Sequence, residues 1–381
     1  MKSQDKTIAI CGAGPVGMAL ALLLARRGVT GIVLLDARSV DQAVGDPRSV
    51  ALSWGSRQLL GEIGVWPVAA TAIHEIHVSR TGQFGRSLMD RSEHGVEALG
   101  YVARYGDVVA ALATACVPAG IDVMRPARVA GIDEEAAGVT LRLDDGRTVR
   151  AGVAVQAEGG TFGAQGAPGG TARSTDYGQS AVIARVSASR PLAHRAYERF
   201  TQEGPLALLP QAGADGHQYA LVWCVRPARA AALLAMDDAA FLAALGQAFG
   251  ERVGSFTQAS QRTSYPLGLT LDARSTARTV AIGNAAQTLH PVAGQGLNLG
   301  LRDAAVLARL LAQGDPVAAI AGFGAARAQD RALTVGLTDT MARVFAGTGP
   351  LQSLLGLSLG ALDALGPARK ALASVMMFGR R

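Results

Sequence analysis

The sequence is short of the residues that mark several common functions. It has three cysteines in 381 residues, Cys11, Cys116 and Cys224, far apart and without a CxxC pair. That spacing offers neither a zinc site nor a disulfide framework, so no metal is expected and a reducing cytoplasm fits. Aromatic residues make up 5% of the chain, and the charge of +6 comes from scattered Lys and Arg with no recognition motif beside them. This argues against nucleic acid as a partner. A basic surface of that kind reflects either solubility or attraction to anionic lipid. Long apolar runs are also lacking. Val344 to Leu362 carries no charge, but four glycines, Pro350 and Gln352 interrupt it. The start, MKSQDK before an apolar run, lacks a cleavage-type ending and is broken by Gly12, Gly14 and Pro15, so the amino terminus reads as mature.

What is present is apolar content of 49%, ample for the core of two or three domains or of one large α/β unit. Thr7 to Cys11 reads as a short buried strand and runs straight into Gly12-Ala-Gly14-Pro-Val-Gly17. A helix follows from about Pro15 to Arg27, then a strand Ile32 to Leu35 that finishes at Asp36. Strand, GxGxxG, helix, strand and acid form the dinucleotide fingerprint in its proper order, with Asp36 placed to bind a ribose. The pattern points to an ADP-type ligand without distinguishing FAD from NAD. A second glycine-rich passage, Gly283-Asn284 and then His290-Pro-Val-Ala-Gly294-Gln-Gly296, leads into a helix with Asn298 in its first turn. Glycines before a helix let the backbone approach a flat ligand and leave the first N–H groups open to an electron-rich group.

Between these passages the pattern alternates. Ile73 to Val78 and Ala98 to Val102 read as strands, and Asp107 to Ala115 reads as a helix. Arg128 to Ile132, Val139 to Leu143 and Thr148 to Ala151 form a β-meander, with Gly152 to Gln156 as a further strand. Ala181 to Val186, Leu206 to Leu209 and Gln218 to Cys224 are strands of a second unit, and Ala231 to Phe249 is its helix. Tyr177, Trp223 and Tyr265 are aromatic candidates either for lining a pocket or for the core.

The run DPRSVALSWGSRQLLGEIGVW, with ERFTQEGPLALLP and GNAAQTLHPVAGQGLNLG, resembles the class A FAD-dependent aromatic hydroxylases of the ubiquinone-biosynthesis family. The similarity is greatest to members acting on a 2-polyprenyl-6-methoxyphenol. It implies an α/β (α+β) fold like that of para-hydroxybenzoate hydroxylase, a Rossmann-like FAD-binding domain with an inserted antiparallel-sheet substrate domain. The FAD parts would be 1–71, 103–170 and 268–343, the substrate parts 72–102 and 171–267, and a helical segment 344–381 would follow. The cofactor contacts implied are Gly12, Gly14, Gly17, Asp36, Arg48, Arg104, Gly283, Asn284, Gly294, Gly296 and Asn298, and the residues beside the chemistry are His290 and Pro291. Two departures stand out. Glu158 replaces the aspartate of an Ala-Asp-Gly motif whose downstream arginine is absent, and Asn284 replaces an aspartate. Both bear on flavin binding and on docking of the electron donor, NAD(P)H or another. The implied reaction is hydroxylation of a polyprenylated phenol by O₂ through a flavin C4a-hydroperoxide. The alternatives are a halogenase or reductase on the same fold, a hydroxylase of a soluble aromatic in catabolism, and a non-catalytic lipid-binding subunit of a biosynthetic complex. Leu351, Leu354, Leu355, Leu359 and Leu362 share one helical face, which packs either on the protein's own core or on the inner-membrane surface or a partner subunit.

Overall fold

A computed structural model describes residues 6–82, 86–159, 173–212, 218–271, 275–346 and 366–379. The leucine face from Leu351 to Leu362 and the proposed boundary at residues 170 and 171 lie outside the described residues.

Five short strands line up in parallel in the order Asp122–Met124, Ile32–Leu35, Lys6–Cys11, Thr148–Gln156 and Thr279–Ala281. The apolar runs of the inner strands Ile32–Leu35, Lys6–Cys11 and Thr148–Gln156 are buried, as parallel strands covered on both faces require, while the edge strand Asp122–Met124 leaves Val123 exposed. Helices Pro15–Arg26, Tyr105–Cys116 and Gln295–Leu311 pack into the core on one side. The sequence reading split residues 148–156 into two strands, but they form one. Its first half pairs antiparallel with Val139–Leu143 and its second half lies parallel to Lys6–Cys11 and Thr279–Ala281.

The second lobe is a nine-stranded sheet. Its order is Gln287–Thr288, Thr263–Leu271, Arg173–Ala188, Gln218–Val225, Pro205–Gln211, Arg195–Phe200, Glu75–Arg80 and Arg86–Asp90, with Phe256–Ala259 on the edge of Arg173–Ala188. Alternate residues, Val182, Tyr197, Leu208, Leu221 and Trp223 among them, face helices Pro227–Ala235 and Asp238–Phe249 and bury there. One helix was expected over Ala231 to Phe249. The chain breaks at Met236 and restarts at Asp237, whose carboxylate caps Ala240 N at 2.8 Å. Trp223 is fully buried on this helix side against Phe241, so it belongs to the core and not to a pocket. The run Ile73 to Val78 is likewise interrupted at His74. Ala70–Ile73 joins a three-stranded sheet with Ser49–Ser53 and Gly100–Arg104, while Glu75–Arg80 enters the large sheet parallel to Arg195–Phe200.

Helix Gly366–Phe378 buries Ala373 and Met377 against Val78, Phe200 and Val292, and Lys370 stays outside. Among the described residues no helix is long and apolar enough to cross a membrane.

Candidate active site

Gly12 has φ +105°, and a Cβ there would lie 2.7 Å from the backbone of Ala157 and Glu158. Only glycine fits. Gly17 serves packing, because its Cβ would come within 1.9 Å of Gly12 O, where the helix crosses the strand. At Gly14 the space is open apart from the Tyr105 hydroxyl at 3.1 Å. Gly14 caps helix Pro15–Arg26 without a side-chain bond, and Pro15 has no N–H to offer, so the first amides face a side-chain-free surface.

Asp36 closes this loop. Its carboxylate accepts from Ala13 N at 2.9 Å and Arg38 N at 2.8 Å and pairs with Arg125 at 3.3 Å. The Arg125 side chain is 4% exposed and also donates to the Ala13 carbonyl. Spacing alone gave no reason to single out Arg125, which reaches the loop only because Asp122–Met124 pairs with Ile32–Leu35. Glu158, at the end of the neighbouring strand, buries Oε2 without a hydrogen-bond partner. Burial, with Asp36 adding to it, pushes its carboxyl up to about 7.

Arg48 and Arg104, 56 positions apart in sequence, stand at adjacent ends of one antiparallel pair, since Ser49 is opposite Arg104. Arg48 is held by Asp46 at 2.6 Å and lies 5.1 Å over the Tyr105 ring. Tyr105 therefore joins the arginine loop to Gly14, another contact that the pattern did not reveal. Arg104 points outward, half exposed, toward Asp107 at 4.0 Å.

The second glycine passage sits directly beside the first. Val16 fills the angle between Gly283 and Gly300, where a Cβ on Gly300 would meet it at 2.7 Å. Gly283 (φ +60°) donates its N–H to Asp303 Oδ2 at 3.2 Å. Asp303, with no exposure, also takes Gln287 Nε2 at 3.0 Å, Arg327 Nε at 2.7 Å and Arg331 Nη2 at 2.9 Å. Asn284 is exposed beside Gly296, whose Cβ would have room, 3.8 Å from Asn284 Oδ1. Gly294 (φ +59°) caps helix Gln295–Leu311 without a side-chain bond. Two uncapped, glycine-opened helix ends thus adjoin, lined by Gly14, Asn284 and Gly296 and flanked by Arg48, which suits an extended ligand with a diphosphate and a flat ring. The residues present fit FAD.

Two of the expected contacts are already fully engaged. Asn298 accepts from Ser53 N (2.8 Å) and Ser56 Oγ (2.7 Å) and donates to Ala51 O (3.0 Å) and Gly294 O (2.9 Å), so its side chain clamps protein to protein. His290, 1% exposed, accepts from Val292 N at Nδ1, which leaves Nε2 protonated to donate to Gln179 Oε1 at 3.0 Å. Burial lowers its pKa to about 4. This neutral strut ties the Pro291 turn to the large sheet, and Tyr177 packs on it at 5.2 Å.

The sheet face opposite the helices forms the other wall. Ile183, Ala207, Leu209 and Val222 are half exposed there, and Tyr265 is 42% exposed at its edge. A separate apolar cavity of about 70 Å³ lies between Ile73, Ile76, Met89, Leu99 and Met377, with Gln295 and Asn298 at its polar end. It is too small for a substituted ring carrying a chain.

The FAD binding domain family matches residues 5–315 of the chain. Ubiquinone hydroxylase UbiL of Rhodospirillum rubrum is 33% identical over 97% of this chain and 89% of its own length. The 3-demethoxyubiquinol 3-hydroxylase of Escherichia coli is 30% identical over 82% of this chain and 81% of its own. Among solved structures, p-nitrophenol 4-monooxygenase PnpA from Pseudomonas putida superposes with a TM-score of 0.80 over 99% of both chains at 18% identity, a likeness of fold.

Proposed function

The chain belongs to the FAD binding domain family, among the FAD-dependent hydroxylases of ubiquinone biosynthesis, and on that footing we propose that it hydroxylates the ring of a polyprenylated phenol with O₂. The observation that carries this reading is the pairing of two walls: a floor of half-exposed Ile183, Ala207, Leu209 and Val222 facing the lobe with the two glycine-opened helix ends. An apolar floor offers burial at about 25 cal/mol per Å² to a prenyl chain and little to an aromatic acid.

FAD supplies the activation of O₂ and the transfer of one oxygen atom to the ring. The protein's own groups hold and shield. The open amides at Gly14 and the guanidinium of Arg48 suit the diphosphate, and Asp36 suits the ribose. Asn284 and Gly296 leave a face free of side chains for the ribityl chain and ring. His290, neutral and doubly bonded, fixes the distance between the two walls and offers no proton to the reaction. The apolar floor keeps water from the reacting ring.

The test is oxygen uptake by the FAD-loaded protein with a prenylated 2-methoxyphenol and with the bare methoxyphenol. Coupled hydroxylation of the first, and mostly H₂O₂ or no turnover with the second, is expected. Efficient hydroxylation of an unprenylated aromatic acid alone would move the protein into aromatic catabolism. Attachment to a membrane surface or to partner subunits belongs to the same proposal, supported by the charge of +6 and the lipid-like substrate. Sedimentation with anionic vesicles that salt reverses is the expected outcome, and equal partitioning at every salt concentration would count against it.

A further inference from the structure

Two sheets and two helices meet around the small apolar cavity without filling it. The strand break at His74 sets Ile73 in the three-stranded sheet and Ile76 in the large one, where Met89 stands opposite it, and Leu52, Leu99 and Met377 close the sides. Ala373 of helix Gly366–Phe378, 3% exposed, also lines it. At about 70 Å³ the space is several times what one water needs. A buried water also needs roughly two to four polar partners, and none is on offer. Ser53 gives its N–H to Asn298 and shares its hydroxyl with Ser56, and the Asn298 amide is spent on Ser53, Ser56, Ala51 and Gly294. Gln295 turns its amide to the Met376 carbonyl at 3.5 Å. Among the described residues, no side-chain nitrogen or oxygen lining the cavity is buried without a partner. The backbone of its walls is paired within the three-stranded sheet, Ser53 with Gly100 and Gly100 with Ile73. The cavity is therefore dry. One end reaches the second glycine passage: Ala51 lines the cavity, and its Cβ is 3.1 Å from where a Cβ on Gly294 would stand. Gln295, the first residue of the helix that Gly294 opens, lines it too.

An empty apolar cavity costs stability in proportion to the volume left unfilled. We propose that this one takes up O₂ and passes it to the flavin, an inference that rests on the use of O₂ and the cofactor placement proposed above. O₂ is apolar, has no hydrogen bond to satisfy and is far smaller than a substituted ring, so it alone of the reactants fits. An apolar solute of about two methylenes' size is enriched on the order of tenfold over water in such a space. Storage apart from the cleft keeps O₂ at hand while the phenol occupies the floor.

The experiment makes two measurements on the FAD-loaded protein, neither of which needs a phenol. Diffraction from crystals pressurised with xenon shows where an apolar gas collects. The rate at which photoreduced flavin is reoxidised shows how readily O₂ arrives; two electrons and two protons pass from the reduced flavin to O₂, giving oxidised flavin and H₂O₂. Ala373→Leu replaces a methyl by an isobutyl group and fills the space from a helix that carries none of the proposed cofactor contacts. Xenon should occupy the cavity of the wild type and be absent from that of Ala373→Leu. The second-order rate constant for reoxidation should fall on the order of tenfold in the variant, the enrichment lost, with flavin content unchanged. Xenon missing from the wild-type cavity overturns the proposal. So does xenon in the wild type with an unchanged rate constant in Ala373→Leu, which would make the cavity a packing gap. Should Ala373→Leu not yield folded protein, Ala373→Val fills less of the space. A smaller fall in the rate constant then supports the proposal, and an unchanged one overturns it. A protein that meets both expectations yet hydroxylates no prenylated phenol would lose the proposed substrate and keep the O₂ cavity.

Discussion

Removing the Asp303 carboxylate tests how the turn at Gly283 is held. Asp303 has no exposure, while Arg327 and Arg331, which flank it, have side chains 4% and 13% exposed. Arg327 keeps a second partner, Asp330, at 2.6 Å. Asp303→Ala would leave two guanidinium groups short of an acceptor, with Gly283 N–H and the Gln287 amide unsatisfied. Breaking one partner out of a buried ion pair costs about 3–5 kcal/mol. At roughly 2.1 cal/mol/K of unfolding entropy per residue, 381 residues give about 0.8 kcal/mol/K, so the melting temperature should fall by about 4–6 °C. Because the carboxylate also anchors Gly283, flavin should be held more weakly in the same variant. The control is Asp133→Ala, which removes a pair to Arg142 that is as short, 2.6 Å against 2.7 Å for Asp303 to Arg327, but has side chains 51% and 57% exposed. It should leave the melting temperature unchanged. Thermal unfolding and flavin fluorescence on the three proteins decide the matter. A drop below about 1 °C for Asp303→Ala, or one that Asp133→Ala matches, would refute the reasoning about burial.

Gly14→Val should fold and purify without flavin, whereas Gly17→Val should fail to fold because its Cβ would sit 1.9 Å from Gly12 O; a yellow Gly14→Val protein sinks the placement of the diphosphate. Glu158, raised to about 7, is neutral in mild acid and gains charge as pH rises through 7, a change that Asp36 opposes and Arg128 favours. FAD should then bind more weakly above pH 7, and titrations with Glu158→Gln should show a flatter profile. His290 has its pKa lowered from 6.5 to about 4, so the unfolded chain takes up a proton first, and stability present above pH 6.5 is lost as pH falls toward 4. That shift corresponds to about 3 kcal/mol, and His77, similarly lowered to about 4, acts in the same window. Denaturant midpoints of His290→Gln should decline less between pH 7 and pH 4 than those of the wild type, and parallel curves would count against it.

The first 36 residues were legible because their pattern is local: a strand, a glycine loop, a helix and an acid follow one another without interruption. Helix Gln295–Leu311 was legible for the same reason, through apolar residues spaced by threes and fours. What was missed depends on pairing between distant segments. Arg125 meets Asp36 only through neighbouring parallel strands, and Tyr105 meets Gly14 across a helix packing. Asn298 and His290 were recognised as notable polar residues, but their partners 245 and 111 positions away are invisible to spacing. Period-two alternation separates the two faces of the large sheet, yet only the register shows which face looks across the cleft.

The Asn298 clamp also sets a clock on synthesis. Ala51, the first residue it holds, leaves the ribosome 247 residues before Asn298 does. At about 5–20 residues per second that is a wait of roughly 10–50 s. During that interval the strand Lys6–Cys11 and its glycine loop exist without the helix that completes the cradle, and the strand Thr148–Gln156 lacks its last parallel neighbour, Thr279–Ala281. The nascent chain must hold these apolar strands uncovered until the final third arrives. A chain halted before residue 295 would have the whole fingerprint and only half a flavin site.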